Sequence, residues 1–349
     1  MLEMIETSTH EAVYRDRRDD LGVTFLVAIH STKLGPAFGG ARMWRYDDED
    51  QALRDALRLS EGMTYKNAMA ELGVGGGKSV IWVREPDKAP REAIFAAFGD
   101  VLEQLGGQYI TAEDVGTSVG DMQIVRRQTR YVAGLPQADG RAGGDPSPWT
   151  ALGVFEAIEA ALATRGRGLV GTLVGVQGCG AVGGRLCDLL VEAGASLVVA
   201  DVSQAHAAKV AATHGARISD PATILEEPVD VLAPCALGAV LNGDTIPRLH
   251  ASFVVGAANN QLATPEDGDR LAARGVLYVP DYVANAGGII SVLEEYRGQS
   301  SALLEARVRV IGPRVRDLLR AADRLSAPPF RLAQTMVDDI LAGPVKASA

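Results

Sequence analysis

The chain has 349 residues, which is long enough for two domains that each bury a core of their own. Its formal net charge of −10 argues against nucleic acid and against an anionic membrane surface as partners. The three cysteines are odd in number and lack metal-binding spacing, which predicts no metal site and fits a reducing, cytoplasmic compartment. Residues 1–20 lack the apolar core of a signal peptide, and no apolar run is long enough to cross a membrane.

The first part of the chain alternates apolar runs with helical patterns. Apolar, β-branched runs predict buried strands, and apolar positions that recur after two aspartates predict a capped helix. Strands are predicted at 22–30, 79–83 and 108–111. One predicted helix is capped by Asp47 or Asp48 and continues to Ala68, and a second begins at Pro90. A glycine-rich turn is predicted over 34–42. This order of elements indicates an α/β domain.

Residues 134–148 are rich in glycine and proline and carry no apolar periodicity, which marks a domain boundary. We assign residues 1–140 to the first domain and 141–326 to the second, and we expect a C-terminal helix within 327–349 to join the first. Beyond the boundary, short strands alternate with helices or loops, which predicts a parallel, doubly wound sheet. These strands are predicted at 174–177, 196–200, 229–232, 253–256 and 276–279.

The stretch 174–183 organises the second domain, because an apolar strand leads into Gly-Cys-Gly-Ala-Val-Gly and then into a helix. Gly178 would allow the tight turn, Gly180 would let backbone approach a pyrophosphate, and Gly183 would let the helix pack on the strand. Asp201 ends the next strand, where an acid would bind the adenosine ribose hydroxyls. No arginine follows it, so the pattern predicts a Rossmann site for NAD rather than NADP; the alternative is a purely structural glycine turn.

Three side chains of the first domain could carry proton transfer, namely Lys66, Lys78 and Asp114. Lys78 follows three glycines at the start of an apolar strand, so burial and a second ammonium nearby would lower its pKa toward neutrality. The alternative is that both lysines are surface charges whose apolar stems lie along the protein. The run Gly-Gly-Gly-Lys-Ser at 75–79 is not a P-loop, because Leu72 stands where the first glycine is needed and because a helix leads to a strand. The histidines show no metal-binding pairs, and no Gly-x-Ser-x-Gly motif is present.

Seven ordered motifs resemble the amino acid dehydrogenases that act on glutamate, leucine, phenylalanine and valine, and they fit the leucine, phenylalanine and valine branch of that family. The motifs lie at 34–42, 62–67, 75–78, 111–116, 233–238, 256–262 and 280–288. The resemblance extends over residues 22–295. It implies an N-terminal substrate-binding and catalytic domain and a Rossmann NAD-binding domain. It also implies the reversible oxidative deamination of an L-amino acid to a 2-oxo acid, ammonia and NADH.

The resemblance further implies roles for individual residues. Lys66 would bind the substrate carboxylate together with the backbone of Gly39 and Gly40. Lys78 would be the general base that activates water, and Asp114 would exchange protons with the amine. The remaining positions would contact the cofactor or the substrate amine, and they are Thr150, Ala181, Val182, Cys235, Ala236, Asn259 and Asn285.

An apolar substrate pocket is implied at Phe38, Ala112, Ile289 and Val292. Glutamate-specific members are similar but carry a lysine at the position of Phe38 and a serine at that of Val292. A buried γ-carboxylate would therefore remain unpaired here, which makes glutamate unfavourable and favours a leucine- or valine-like substrate. Phe38 and Trp149 are bulkier than the residues expected at these positions, so the alternative of an aromatic substrate, phenylalanine or tryptophan, stays open.

A non-catalytic NAD-binding sensor is an alternative from a different class of function. Such a sensor needs only the Rossmann domain, whereas this chain also carries the two lysines and the aspartate. The expected partners are the amino acid, its 2-oxo acid and ammonia, and a homo-oligomer is expected. Neither a nucleic acid nor a membrane is expected as a partner.

Overall fold

The computed structural model describes residues 2–85, 90–138, 140–236 and 238–343. These residues form two compact units, each with its own six-stranded sheet. The first unit contains the residues up to Asp145, the segment Ser291–Leu304 and the described residues from Asp339 onward. The second unit contains Pro146–Ile290 and Glu305–Asp338.

The limits of the two units differ from the expected domain limits. The segment Ser291–Leu304, expected within the second domain, groups with the first unit. The C-terminal helix runs over Pro329–Ala342, and its residues up to Asp338 group with the second unit. Residues 344–349 of that expectation lie outside the described residues. Residues 141–145, expected in the second domain, also group with the first unit. The other limits fall inside continuous helices, which no shift in composition marks.

The sheet of the first unit is mixed. Its strands, in chain order, are β1 Glu3–Ile5, β2 Ala12–Arg18, β3 Val23–Ser31, β4 Ala37–Trp44, β5 Gly75–Val83 and β6 Tyr109–Glu113. Within the sheet they lie in the order β1-β2-β3-β5-β4-β6. The neighbours from β1 to β5 are antiparallel, whereas β5, β4 and β6 are parallel. The predicted turn at 34–42 is wrong from Ala37 onward, because β4 pairs with a strand on each side. Pairing on both sides outweighs the low strand propensity of its glycines.

Three helices complete the described core of the first unit up to its boundary loop. They are α1 Glu49–Met69, α2 Arg91–Gln104 and α3 Val119–Arg126. The capping of α1 is as predicted, since the Asp48 carboxylate accepts the backbone N–H of Gln51 at 2.7 Å. On the opposite face of the sheet from α1, rings such as Phe25 and Phe98 pack with centroids 5.6 Å apart.

Gly76 of β5 lets α1 lie directly on the sheet. A Cβ at this position would collide with the backbone and side chain of Thr64. Because α1 also packs on β3, this close approach fixes the helix over the sheet. Lys66 follows Thr64 by two residues, so the same contact determines where this lysine lies.

The sheet of the second unit is parallel throughout, as predicted. Its strands, in chain order, are β7 Leu173–Gln177, β8 Ser196–Ala200, β9 Arg217–Ile218, β10 Val231–Pro234, β11 Phe253–Val254 and β12 Leu277–Tyr278. Within the sheet they lie in the order β12-β11-β10-β7-β8-β9, and all neighbours are parallel. The strand order reverses at β7, which has β8 on one side and β10 on the other. This is the doubly wound order of a Rossmann domain, in which ligands bind at the carboxyl ends of the strands beside the reversal.

The remaining helices precede, connect and follow these strands. They are α4 Ser147–Ala163, α5 Ala181–Glu192, α6 Gln204–His214, α7 Pro265–Ala273, α8 Asp281–Ala284, α9 Gly287–Tyr296, α10 Ser301–Arg309, α11 Ile311–Leu325 and α12 Pro329–Ala342. Within the described ranges, no helix combines the length and the apolar character that a membrane span requires.

Replacing Gly76 by alanine is expected to destabilise the first unit, because the added methyl group overlaps the backbone of α1. Overpacking of this kind costs about 1–3 kcal/mol of unfolding free energy. The matched control is Gly62→Ala in α1, where an added Cβ meets nothing within 4 Å. That control should gain about 0.5–1 kcal/mol from helix propensity. Thermal unfolding measures both, and an unchanged midpoint for Gly76→Ala would contradict the packing described here.

Candidate active site

Lys78 and Asp114 form an ion pair in the first unit, in which Lys78 is buried and 22% of the Asp114 side chain is exposed. Lys78 lies on β5, and Asp114 comes directly after β6. The distance between Lys78 Nζ and Asp114 Oδ2 is 2.9 Å, and Lys78 is only 5% exposed. The alternative of a surface lysine is therefore wrong for Lys78. Both residues were predicted from the sequence as candidates for proton transfer, and the structure places them in direct contact.

The surroundings of this pair alter the pKa of each member. Burial lowers the pKa of Lys78 below its ordinary 10.5; the carboxylate of Asp114 opposes this shift, and the charge of Arg42 adds to it. Burial by itself would raise the pKa of Asp114, but the charges of Lys78 and Arg42 outweigh burial and lower it to about 2. Asp114 is therefore ionised at neutral pH. Lys78 releases its proton more readily than an ordinary lysine.

Arg42 is a third member of this site that the sequence did not single out. It lies on β4, and its Nε donates a hydrogen bond to Asp114 Oδ2 at 3.0 Å. Its Nη1 forms an ion pair of 3.0 Å with Asp55 Oδ2. In the sequence, Arg42 directly follows an apolar, glycine-rich run. Because that run was assigned to a turn, Arg42 was not considered as a residue of a buried strand.

Gly40 lies against the ion pair. A Cβ at Gly40 would be 2.8 Å from Asp114 Cβ and 3.3 Å from Lys78 Nζ. Gly40 pairs with Ala112 of β6, and Gly39 pairs with Thr111. The structure thus brings together four of the predicted residues, namely the glycine pair, Lys78 and Asp114, with Ala112 beside them.

Two buried residues that the sequence did not predict hold this arrangement. Asn67 donates from Nδ2 to the carbonyl oxygens of Gly75 at 2.6 Å and Phe38 at 3.2 Å, which joins α1 to β5 and β4. The hydroxyl of Tyr109 donates to the Gly39 carbonyl at 2.8 Å. Lys66, next to Asn67 on α1, is half-buried. In the sequence, Asn67 and Tyr109 could have been identified as polar residues among apolar ones, since buried polar groups require hydrogen-bond partners.

The predicted pocket residues of the first unit are almost fully buried. Phe38 is inaccessible, Ala112 is 2% exposed and Val292 is 9% exposed. The ring of Phe38 packs edge to face on Tyr296, with centroids 6.2 Å apart and an interplanar angle of 67°. Tyr296 was not among the predicted residues. Ile289, the fourth predicted pocket residue, lies half-buried in the second unit.

The glycine-rich turn of the second unit has the backbone features expected of a dinucleotide-binding turn. Gly178 has a φ of +96°, and a Cβ at Gly183 would collide with the Gly178 carbonyl. By contrast, a Cβ at Gly180 would meet nothing within 4 Å, so this position faces open space. Gly180 precedes α5, whose N-terminus has no side-chain cap, and Ala181 and Val182 form its first turn. Free backbone N–H groups at such a terminus bind phosphate oxygens.

Asp201 lies beside this turn, at the end of β8. Its Oδ2 accepts the backbone N–H of Cys179 at 2.6 Å, and its Oδ1 accepts that of Ser203 at 2.7 Å. The carboxylate is thus fixed by two backbone donors next to the predicted phosphate turn. On the other side, Ala236 lies close enough that its Cβ would be 2.9 Å from a Cβ at Gly178. Cys235, which precedes it, is half-buried.

Asn285 carries a buried acceptor that has no partner within the described residues. Its Nδ2 donates to the Ala257 carbonyl at 3.0 Å and to Asn259 Oδ1 at 2.9 Å, whereas its Oδ1 accepts no hydrogen bond there. An unpaired buried acceptor of this kind fits a donor on a bound ligand. Thr150, on α4, donates from Oγ1 to the Pro146 carbonyl at 3.1 Å. The residues present therefore fit a nicotinamide dinucleotide.

The described residues contain no group of three histidine, cysteine or acidic side chains arranged to hold a metal ion. Cys179 and Cys187 are buried. Burial, with a small contribution from Asp201, raises the pKa of the Cys179 thiol to about 11. A thiol of this kind packs as a small apolar group rather than acting as a nucleophile.

Comparison with known proteins agrees with this geometry. Residues 12–131 match the family model of the Glu/Leu/Phe/Val dehydrogenase dimerisation domain, and residues 199–310 match that of Glutamate/Leucine/Phenylalanine/Valine dehydrogenase. Leucine dehydrogenase of Geobacillus stearothermophilus is 42% identical over 97% of this chain and 92% of its own length. Valine dehydrogenase of Streptomyces virginiae is 42% identical over 94% of this chain and 93% of its own length.

A solved structure is also similar. The crystal structure of L-tryptophan dehydrogenase from Nostoc punctiforme has a TM-score of 0.81 and 38% sequence identity, and the match covers 96% of each chain. The fold, the arrangement of motifs and the extent of these matches agree. The chain is therefore a member of the glutamate, leucine, phenylalanine and valine dehydrogenase family.

Proposed function

We propose that the chain catalyses the NAD-dependent, reversible oxidative deamination of an apolar L-amino acid, with a leucine- or valine-like side chain favoured. The products are the 2-oxo acid, ammonia and NADH. The observation that carries this proposal is the buried pair of Lys78 and Asp114, with 2.9 Å between Nζ and Oδ2. A non-catalytic NAD sensor would have no use for a lysine that is desolvated and paired in this way.

The first unit provides the groups that bind the amino acid and transfer protons. Lys66 is proposed to bind the α-carboxylate, together with the backbone at Gly39 and Gly40. Asp114 is ionised and exchanges a proton with the substrate nitrogen. A cation close to the substrate also disfavours its ammonium form, which leaves the neutral amine from which hydride departs.

Lys78 acts after hydride has left the substrate Cα and the imino acid has formed. In its neutral form, Lys78 takes a proton from a water molecule as the water oxygen bonds to the imino carbon. Asp114, which has taken a proton from the substrate ammonium group, returns that proton to the nitrogen of the resulting carbinolamine. The C–N bond then breaks, ammonia leaves, and the hydroxyl proton passes to solvent as the carbonyl forms. The products are the 2-oxo acid and ammonia, and in the reverse direction the same groups exchange roles.

The second unit is proposed to hold NAD, which supplies the hydride acceptor when bound. The phosphates fit the turn at Gly178, Gly180 and Gly183, with the N–H groups of Ala181 and Val182. Asp201 is proposed to accept hydrogen bonds from the ribose hydroxyls and to repel a 2′-phosphate. Thr150, Cys235, Ala236, Asn259 and Asn285 are proposed to position the nicotinamide, its ribose or the substrate amine.

The side-chain specificity is proposed to depend on Phe38, Ala112, Ile289 and Val292. None of these offers a donor to a γ-carboxylate, and burying that group unpaired would be unfavourable. The ring contact of Phe38 with Tyr296 is the observation in favour of the second candidate, an aromatic L-amino acid. A relative named L-tryptophan dehydrogenase is in line with that candidate.

We also propose that the protein forms a homo-oligomer in the cytoplasm. The family model that matches the first unit is described as a dimerisation domain. The three cysteines are free, which fits a reducing compartment. Neither nucleic acid nor a membrane is part of the proposal.

Lys78→Ala is expected to lower kcat by about 10²–10⁴-fold, the usual contribution of a general base. The dissociation constant for NADH, measured by fluorescence, should stay the same because the turn that binds it is in the other unit. Since the neutral amine is the active form, wild-type kcat/KM should rise with pH until Lys78 has lost its proton, below pH 10.5. The control is Lys33→Ala at an exposed position. A Lys78→Ala enzyme that keeps more than about a tenth of wild-type kcat would contradict the role.

Asp201→Ala is expected to weaken NAD binding and to narrow the preference for NAD over NADP. Removing the carboxylate removes both the acceptor for the ribose hydroxyls and the repulsion of a 2′-phosphate. Steady-state kinetics with the two cofactors measure the ratio of kcat/KM values. Glu192→Ala removes the same charge from an exposed position of the same unit and should leave the ratio unchanged. A wild-type enzyme that uses both cofactors equally well would rule out this role for Asp201.

Phe38→Leu is expected to improve kcat/KM for L-phenylalanine relative to L-leucine, since a smaller side chain lengthens the pocket. The wild type should prefer leucine or valine. Phe98→Leu, which makes the same change in the apolar core, controls for lost stability. The aromatic alternative predicts the reverse: wild-type turnover of phenylalanine or tryptophan would be faster, and Phe38→Leu would reduce it, because ring pairs contribute about 0.5–1.5 kcal/mol.

A further inference from the structure

One oxygen of Asp114 is shared by two cations. Oδ2 lies 2.9 Å from Lys78 Nζ and 3.0 Å from Arg42 Nε. A lysine can lose its proton at an accessible pH, whereas an arginine in a protein stays charged. When Lys78 is neutral, Arg42 is therefore the counterion that remains on this oxygen of the carboxylate.

Arg42 is itself held from the other side by a second carboxylate. Its Nη1 lies 3.0 Å from Asp55 Oδ2, which also accepts the hydroxyl of Tyr46 at 2.6 Å. Asp55 Oδ1 accepts from Arg58 Nη2 at 2.9 Å. Asp55 is on α1 and only 16% of its side chain is exposed, so the pairing is largely shielded from solvent. The result is a row of alternating charges from Lys78 to Arg58.

We propose that Arg42 is a positioning residue of the reaction. It holds the Asp114 side chain in place while Lys78 is neutral, and Asp55 and Tyr46 in turn hold Arg42. The inference rests on the proposed function, since it assigns Arg42 to the same proton-transfer step. Arg42 does not exchange a proton with the substrate and acts only through Asp114 and Lys78.

The charges around Lys78 determine how removing the charge of Arg42 or of Asp55 shifts the pKa of Lys78. Asp114 follows β6, Arg42 is on β4, Asp55 and the half-buried Lys66 are on α1, and Tyr109 of β6 is uncharged because burial raises its pKa. Removing the charge of Arg42 leaves Lys78 as the partner of Asp114, which stabilises the ammonium form. Removing the charge of Asp55 leaves Arg42 less neutralised, which destabilises the ammonium form. The two substitutions therefore shift the protonation of Lys78 in opposite directions.

The test compares Arg42→Gln, Arg42→Lys and Asp55→Asn with the wild type in amino acid deamination across pH. In Arg42→Gln, the ascending limb of kcat should move to higher pH by about 1–3 units, the usual effect of one close charge. Asp55→Asn should move it to lower pH. Arg42→Lys keeps a positive charge but cannot contact both carboxylates with separate nitrogens, so it should move the limb less than Arg42→Gln does. Arg45→Gln removes the same charge from an exposed position near the end of β4 and should move nothing.

A second measurement separates this inference from the proposed function. In protein labelled with ¹³C at the lysine Cε, the Lys78 resonance is the one missing from Lys78→Met, and its pH titration requires no substrate. The same opposite displacements are expected in that titration. The inference is overturned if Arg42→Gln changes neither the ascending limb of the kcat–pH profile nor the titration of the Lys78 resonance. It is also overturned if Asp55→Asn moves them in the same direction as Arg42→Gln does. A wild type inactive toward every amino acid would refute the proposed function, and the titration would still decide the role of Arg42.

Discussion

The buried contact between Lys78 and Asp114 constrains the structure of the first unit around it. Two ions lose hydration when they are buried, and their mutual attraction compensates only when the geometry is good and the remaining hydrogen-bonding positions are filled. Here Arg42 fills a further position on Asp114. Removing one member of such a pair leaves an uncompensated buried charge, at a cost of about 3–5 kcal/mol. Charged groups with shifted pKa values of this kind are concentrated at functional sites, which agrees with the roles proposed for Lys78 and Asp114.

Glycines and buried polar side chains make this arrangement possible. Gly76 lets α1 approach β5, and Gly40 leaves room for the Lys78 amine and Asp114. Asn67 and Tyr109 then bind carbonyl groups of the strands, so that the backbone under the site has partners. In the second unit, Gly183 and Asp201 fix the turn in the same way, with Gly180 left open. In each unit, glycines therefore leave backbone accessible next to hydrogen-bonded polar side chains, which suits a small substrate and a phosphate group.

The sequence predicted the features that depend on local pattern. The turn at Gly178, the acid at Asp201 and the parallel sheet follow from the order of strand, glycines and helix, and all are present. Lys78 could be singled out because a lysine is unusual in an apolar strand. The strand Ala37–Trp44 could not be predicted, since its conformation depends on pairing with β5 and β6, which are distant in sequence. Arg42 was missed for the same reason. The grouping of Ser291–Leu304 with the first unit likewise depends on tertiary contacts.

We propose that the chain oxidises the Cα–N bond of an apolar L-amino acid with NAD. The most direct measurement is the stoichiometry of NADH, ammonia and 2-oxo acid formed by the wild type from L-leucine or L-valine at alkaline pH, with D-leucine and L-glutamate as controls. We expect equal amounts of the three products from the apolar L-amino acids and little or none from the controls. Tight binding of NAD without product from any apolar amino acid would contradict it, and so would faster turnover of L-glutamate.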